Sequence, residues 1–236
     1  MINTDKPWIS GPKELLIHGI DHLELNTGFN CRIAMISIDN SVELMIKTYL
    51  GLPKRITGIN GLSRKKLEDI TSTFPNLLDG LEEYANEKLK GIELGDIEWF
   101  HRLRNQLYHD GNGITVEKEK VEAYAEIAKI LFENFFGVNI EQDLNRELKH
   151  SLVGEFLSEW AKLEKLTLLE GKYKIYSPMR RFRQMQDNGD LTLGEFDRLN
   201  DLRKFRNDLV HGMTTPSKRE LQESIKEIKF IQEKLS

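Results

Sequence analysis

A single cysteine, Cys31, stands in 236 residues. That excludes an internal disulfide framework and any thiolate metal cluster. Proline and glycine are sparse, at 6 and 17, too few for a collagen-like or low-complexity chain. With 39% hydrophobic residues the chain has enough apolar surface to fold, so disorder is not expected. No apolar run approaches the roughly 18 residues that span a bilayer, so no membrane segment is expected. The opening residues lack a basic stretch followed by an apolar core, which makes a cytoplasmic address the expectation. Also missing are a P-loop, a Gly-x-Gly-x-x-Gly turn, a Gly-x-Ser-x-Gly elbow and a His-Glu-x-x-His helix. Phosphate-loop nucleotide hydrolysis, hydride transfer, serine hydrolysis and zinc proteolysis therefore have no motif behind them.

Charge of one sign is not in excess overall: 34 Lys+Arg face 38 Asp+Glu, a net of -4. The two ends differ, however. Residues 146–236 hold 18 basic and 15 acidic side chains, whereas residues 1–145 hold 16 and 23. The total is an average over a mildly basic and an acidic half, so it does not exclude a polyanionic partner for one of them.

What is present is helical periodicity. Apolar residues recur at helical spacing from Glu14 to Leu25, with Pro12 near the start and Gly28 as a stop signal. A second run from Cys31 to Leu50 has few polar interruptions, Asp39-Asn40 and Glu43 among them, and reads as a deep core helix. Ser63 to Leu89 is helical with a break expected at Pro75, and Leu94 to Asp110 follows. Val116 to Phe136 carries one apolar face and ends at Gly137. In the second half, Ser151 to Glu170 stops at Gly171, and a loop with Pro178 and a basic stretch comes next. Thr192 to Glu195 and Ser217 to Glu220 are capping boxes that open the last two helices, the first of them ending at Val210 before Gly212. Gly58 to Gly61 is a turn or short hairpin at most. The expected fold is all-α, with helical domains at 1–145 and 146–236 joined near residues 138–150.

Two segments match each other. Arg104-Asn105-Gln106-Leu107-Tyr108-His109 and Arg206-Asn207-Asp208-Leu209-Val210-His211 both read Arg-Asn-x-Leu-x-His. Each ends a predicted helix, and each precedes the last helix of its half. At about 100° per residue, Arg, Asn, the residue at +4 and His fall at roughly 0°, 100°, 40° and 140°, with Leu pointing back to a core near 300°. One helix face thus offers a fixed forked cation beside an imidazole, a side chain that can give or take a proton near neutral pH. The plain alternative is a surface arginine and a histidine that caps helix-end carbonyls.

The doubled motif resembles that of the HEPN (higher eukaryote and prokaryote nucleotide-binding) ribonucleases. The chain looks like two such domains in tandem, packed as an intrachain pseudo-dimer. The resemblance implies a metal-independent endoribonuclease without a cofactor. In that chemistry the neighbouring 2′-hydroxyl attacks the phosphate, leaving a 2′,3′-cyclic phosphate and a 5′-hydroxyl. His109 and His211 would be the acid and the base, and Arg104 and Arg206 would neutralise charge on the phosphate. Asn105 and Asn207 would orient the histidines or bind a phosphate oxygen. The family setting is a toxin or anti-phage effector with RNA as substrate. An antitoxin or regulatory partner and a homodimer are also implied. Family toxins controlled by modification carry a tyrosine two residues after the histidine. Here those positions are Gly111 and Met213, which speaks against that control.

Further candidates surround the motifs. Arg102, Arg180, Arg181, Arg183, Arg203 and Lys204 could contact phosphates, and Tyr108 could stack on a base. The bland reading is a solvated basic face with Phe182 and Phe205 in the core. Glu43 could hydrogen-bond the site. His18 and His22 have metal-ligand spacing but no evident third ligand, so an ordinary pair is the simpler reading. Cys31 reads as a small core residue. Two other functions stay open on the sequence: a non-catalytic RNA- or nucleotide-binding module, and a helical adaptor whose motifs stabilise its own domain interface.

Overall fold

The computed structural model describes residues 6–109, 115–142, 144, 152–167 and 178–235. Among them all regular structure is helical and no strand occurs, as the periodicity requires. The chain divides into two compact units, Met1–Lys149 and His150–Ser236. The expected boundary after residue 145 falls outside the described residues.

In the first unit, α1 (Pro7–Glu24) and α2 (Gly28–Gly51) form an antiparallel hairpin. Helix α1 begins about two turns before its apolar pattern, with Pro7 in the first turn, where a missing N–H costs nothing. Gly28 is not its stop. The chain turns at Asn26, which has a left-handed φ of 51°. Thr27 then caps α2 by accepting from the Asn30 N–H, and Gly28 is the first residue of that helix. Gly19 lets the two helices approach: a Cβ there would lie 2.7 Å from the Ile38 side chain and 3.2 Å from the Ala34 carbonyl oxygen.

Helix α2 is the centre of this unit, packing on α1, α5, α6 and α7. A short helix, α3 (Lys54–Thr57), ends at Gly58 in the left-handed region, and the Gly58–Gly61 segment forms no hairpin strand. The Ser63–Leu89 stretch splits into α4 (Arg64–Ile70) and α5 (Phe74–Ala85). Thr73 caps α5 and Pro75 lies in its first turn, so the expected break is there. Helix α6 (Leu94–His109) carries the first motif, and α7 (Lys118–Phe136) closes the bundle and ends at left-handed Gly137.

The second unit contains α8 (Leu152–Leu166), α9 (Pro178–Asn188), α10 (Leu193–Val210) and α11 (Lys218–Leu235). Helix α8 packs on α11, and α9 on α10. The basic stretch after Pro178 is itself helical, anchored by the wholly buried Phe182. Both capping boxes form. Thr192 and Glu195 satisfy each other's backbone N–H at the start of α10. Ser217 and Glu220 do the same before α11. Glu195 also binds Lys234 at the far end of α11, at 2.7 Å.

Candidate functional site

The first motif is built around a carboxylate on another helix. Asp39, in the middle of α2, is wholly buried. Three side chains converge on it from α6 and α7. Tyr124 donates its hydroxyl to Oδ1 at 2.8 Å. His101 Nδ1 lies 3.0 Å from Oδ2. Arg104 Nε lies 3.1 Å from the same Oδ2. An ionised carboxylate only accepts, so His101 must carry its proton on Nδ1. Burial, then the charge of Asp39, pushes the Tyr124 hydroxyl well above its usual range, so it remains a donor.

Arg104 is tied on its other edges as well. Nη1 donates to Asn105 Oδ1 at 2.8 Å, and Nη2 donates to Asn40 Oδ1. Each terminal nitrogen keeps one further N–H, since a guanidinium carries five. The guanidinium carbon lies 5.9 Å from the centre of the Tyr108 ring, whose edge in turn meets His109 at 5.2 Å. Tyr108 and His109 are both exposed and Leu107 is buried, which is the division of the helix that its spacing dictates. Arg104, Tyr108 and His109 thus form one continuous surface at the C-terminal end of α6. Asp110 and Gly111 lie outside the described residues.

The second motif shares the local contact but differs in its setting. Arg206 Nη1 donates to Asn207 Oδ1 at 3.3 Å, as in the first motif. In both, the asparagine oxygen is turned to its own arginine. Arg206, however, is only 3% exposed. Leu209 is buried, as Leu107 is, but Val210 is buried where Tyr108 is open. His211 is the C-cap of α10 rather than a helical residue. Gly212, at φ 66°, donates to the Leu209 carbonyl, and Met213 donates to that of Asp208. This pair of bonds is a Schellman closure, which fixes where the backbone of His211 leaves the helix.

The remaining candidates fall on surfaces. Arg102 is exposed and paired with Glu98 one turn back. On α9, Arg180 is exposed, Arg181 donates to Gln184, and Arg183 lies over the Phe196 ring. Arg203 and Lys204 are exposed on α10. Phe205 is half-buried, edge-on to Phe156 at 5.3 Å. Cys31 is buried in the core of the first unit. His22 Nδ1 is 2.8 Å from Asn30 Oδ1, and His18 meets its ring edge-on at 4.6 Å. Among the described residues, no three His, Cys, Asp or Glu side chains gather as a metal site.

Glu43 pairs with Lys47 along α2, so it is not the acid that reaches the motif. Asp39, one turn earlier, takes that place. The signal was there in the sequence, as a polar pair interrupting an apolar helix. His101, one turn before Arg104 and so on the same face, was the other. No family model, curated protein or solved structure matches the chain.

Proposed function

We propose that the protein is a metal-independent endoribonuclease whose two Arg-Asn-x-Leu-x-His motifs supply the catalytic groups. The observation that carries this reading is the first motif: a guanidinium fixed by Asp39, Asn40 and Asn105 beside an exposed histidine on the same helix. A base takes the proton of the ribose 2′-hydroxyl as its oxygen bonds to phosphorus. The bond from phosphorus to the 5′-oxygen breaks, and an acid protonates that oxygen as it leaves. His109 and His211 are the proposed proton carriers. The arginines offset charge that grows on the phosphate in the transition state. The need for a 2′-hydroxyl makes RNA the substrate class. Arg102, Arg180, Arg181, Arg183, Arg203 and Lys204 are proposed phosphate contacts, and Tyr108 a stacking surface. A setting in toxicity or phage defence, with a restraining partner, belongs to the same reading.

The test is cleavage of single-stranded RNA in EDTA, with the product ends identified as 2′,3′-cyclic phosphate and 5′-hydroxyl. His109→Ala and His211→Ala should each slow cutting. Mixing the two inactive chains then tells a site shared between copies from one within a single chain. No cutting by the native chain under any condition sinks the proposal.

A second reading is favoured by one observation. The burial of Arg206 suits a structural role for the second motif, as in a non-catalytic RNA-binding module or a helical adaptor. Full activity in His211→Ala beside none in His109→Ala would support a structural second motif. RNA binding without cutting would support the module, and neither would leave the adaptor.

A further inference from the structure

Two donors share one oxygen at the centre of the first unit, but they do not share it equally. Oδ2 of Asp39 is 3.0 Å from His101 Nδ1 in hydrogen-bonding geometry. Arg104 Nε is 3.1 Å from the same atom, yet its buried N–H makes no hydrogen bond. The arginine therefore pairs with Asp39 by charge and proximity while its N–H points out of line. The imidazole is held in place from outside: its ring stacks on Phe74 of α5, with centroids 3.6 Å apart and planes within 4°. Tyr124 occupies the other oxygen. The carboxylate is thus held from α6 by His101, itself braced by α5, and from α7 by Tyr124, so it cannot turn to follow the arginine.

We propose that His101 is a positioning residue for Arg104: by its Nδ1–H, with Tyr124 on the other oxygen, it holds the Asp39 carboxylate in the orientation that leaves the Arg104 Nε–H out of line with Oδ2. The seat that results is the one braced by Asn40 and Asn105, beside Tyr108. Without the imidazole, Nε–H rotates into line with Oδ2, and the plane of the guanidinium tilts away from the Tyr108–His109 surface. An arginine acts on a phosphate through the direction of its fork, so such a tilt costs rate even though the charge is unchanged. Its consequence for rate rests on the ribonuclease reading above; its geometry does not.

The replacement that separates the two parts is chosen by shape. An asparagine amide nitrogen sits close to where Nδ1 of histidine sits, so His101→Asn keeps the donor. His101→Leu keeps volume and removes it. In full-length protein labelled with nitrogen-15, the Arg104 Nε–H resonance should move downfield in His101→Leu, as it gains a hydrogen bond. It should return toward its native position in His101→Asn. RNA cleavage should fall about tenfold or more in kcat for His101→Leu with KM changed less than about threefold, and His101→Asn should recover most of the loss. An unmoved Arg104 resonance in a folded His101→Leu overturns the proposal whether or not RNA is cut. So does a His101→Asn chain as impaired as His101→Leu. If His101→Leu does not fold, His101→Gln gives the same reading, because its amide nitrogen lies at the Nε2 position and misses Oδ2. A chain that never cuts RNA ends the ribonuclease reading, while the resonance still decides where Arg104 is seated.

Discussion

The two Arg-Asn-x-Leu-x-His segments are the same to the eye and different in the molecule. In the first, the arginine is braced by a buried acid from another helix, and tyrosine and histidine lie open beside it. In the second, the arginine is buried, valine replaces tyrosine, and the histidine stands on a cap outside the helix. What repeats is what six residues can set by themselves: the arginine-to-asparagine bond and the inward leucine. What differs is set by neighbours distant in sequence. A motif therefore fixes a local grip and leaves its exposure to the surrounding fold.

The comparison yields unequal responses. The largest concern chemistry: His109→Ala and His211→Ala should each lower cutting about 10²- to 10⁴-fold, with helical circular dichroism and melting unchanged. Unchanged cutting in His211→Ala beside a full loss in His109→Ala would show that only the open motif works. Next comes Asp39→Ala, which leaves Arg104 without its buried counter-charge. It should destabilise the first unit by about 3–5 kcal/mol, read as a shift of one unfolding transition in urea while the other stays. For the same reason Arg104→Ala confuses loss of charge with loss of fold. Arg104→Lys, which keeps the charge and loses the fork, is the cleaner probe.

Gly19→Ala forces α1 away from α2 and should cost about 1–3 kcal/mol by the same urea measurement. It lies away from the motif, so cutting per folded molecule should not change, which separates stability from site geometry. Gly212→Ala should cost the second unit about 1 kcal/mol, because alanine disfavours the left-handed cap that Gly212 holds. If His211 needs that cap, this variant also slows cutting.

The smallest effect is one of pH. Lys234 first, then the Thr192 backbone and side chain, hold the Glu195 carboxyl at about 2 rather than the ordinary 4.5. A folded value below the unfolded one stabilises above pH 4.5, and that stabilisation fades as pH falls toward 2. Solvent screens the pair, so about 1 kcal/mol or less is at stake. Acid melting of native and Glu195→Gln chains should therefore differ at pH 6 and converge near pH 2.

Much of the fold was legible because it is written locally. Thr192 with Glu195, Ser217 with Glu220, Pro75, Gly137 and Gly212 all act within a turn of where they stand, and each ends or opens a helix as its chemistry requires. The misreadings were also local, but finer. Asn26 and Thr27 make the first turn that Gly28 had been given, because a small polar side chain can do either job. At the motif, helical spacing put Leu107 toward the core, where it lies, and Tyr108 on the motif face, which the fold leaves exposed while burying Val210 at the matching place. It could not pair Asp39 with Arg104, since periodicity tells which way a residue faces and not which distant residue it meets. Nor could it separate Arg104 from Arg206, whose neighbours in sequence are nearly the same. The wheel places both on one arc, and only the helices packed over them decide which one solvent reaches.

The convergence on Asp39 has a consequence in time as well as in space. If α6 opened alone, a buried carboxylate would keep the Tyr124 hydrogen bond and lose both the His101 one and its Arg104 counter-charge, a state the interior does not tolerate. The helix that carries the first motif is thereby bound to the fate of α2 and α7. Its amide hydrogens should exchange with water only as fast as the whole unit unfolds, not by fraying. A newly made chain accordingly presents Arg104 and His109 together only once the bundle has closed, so incomplete folding leaves the site unbuilt rather than half built.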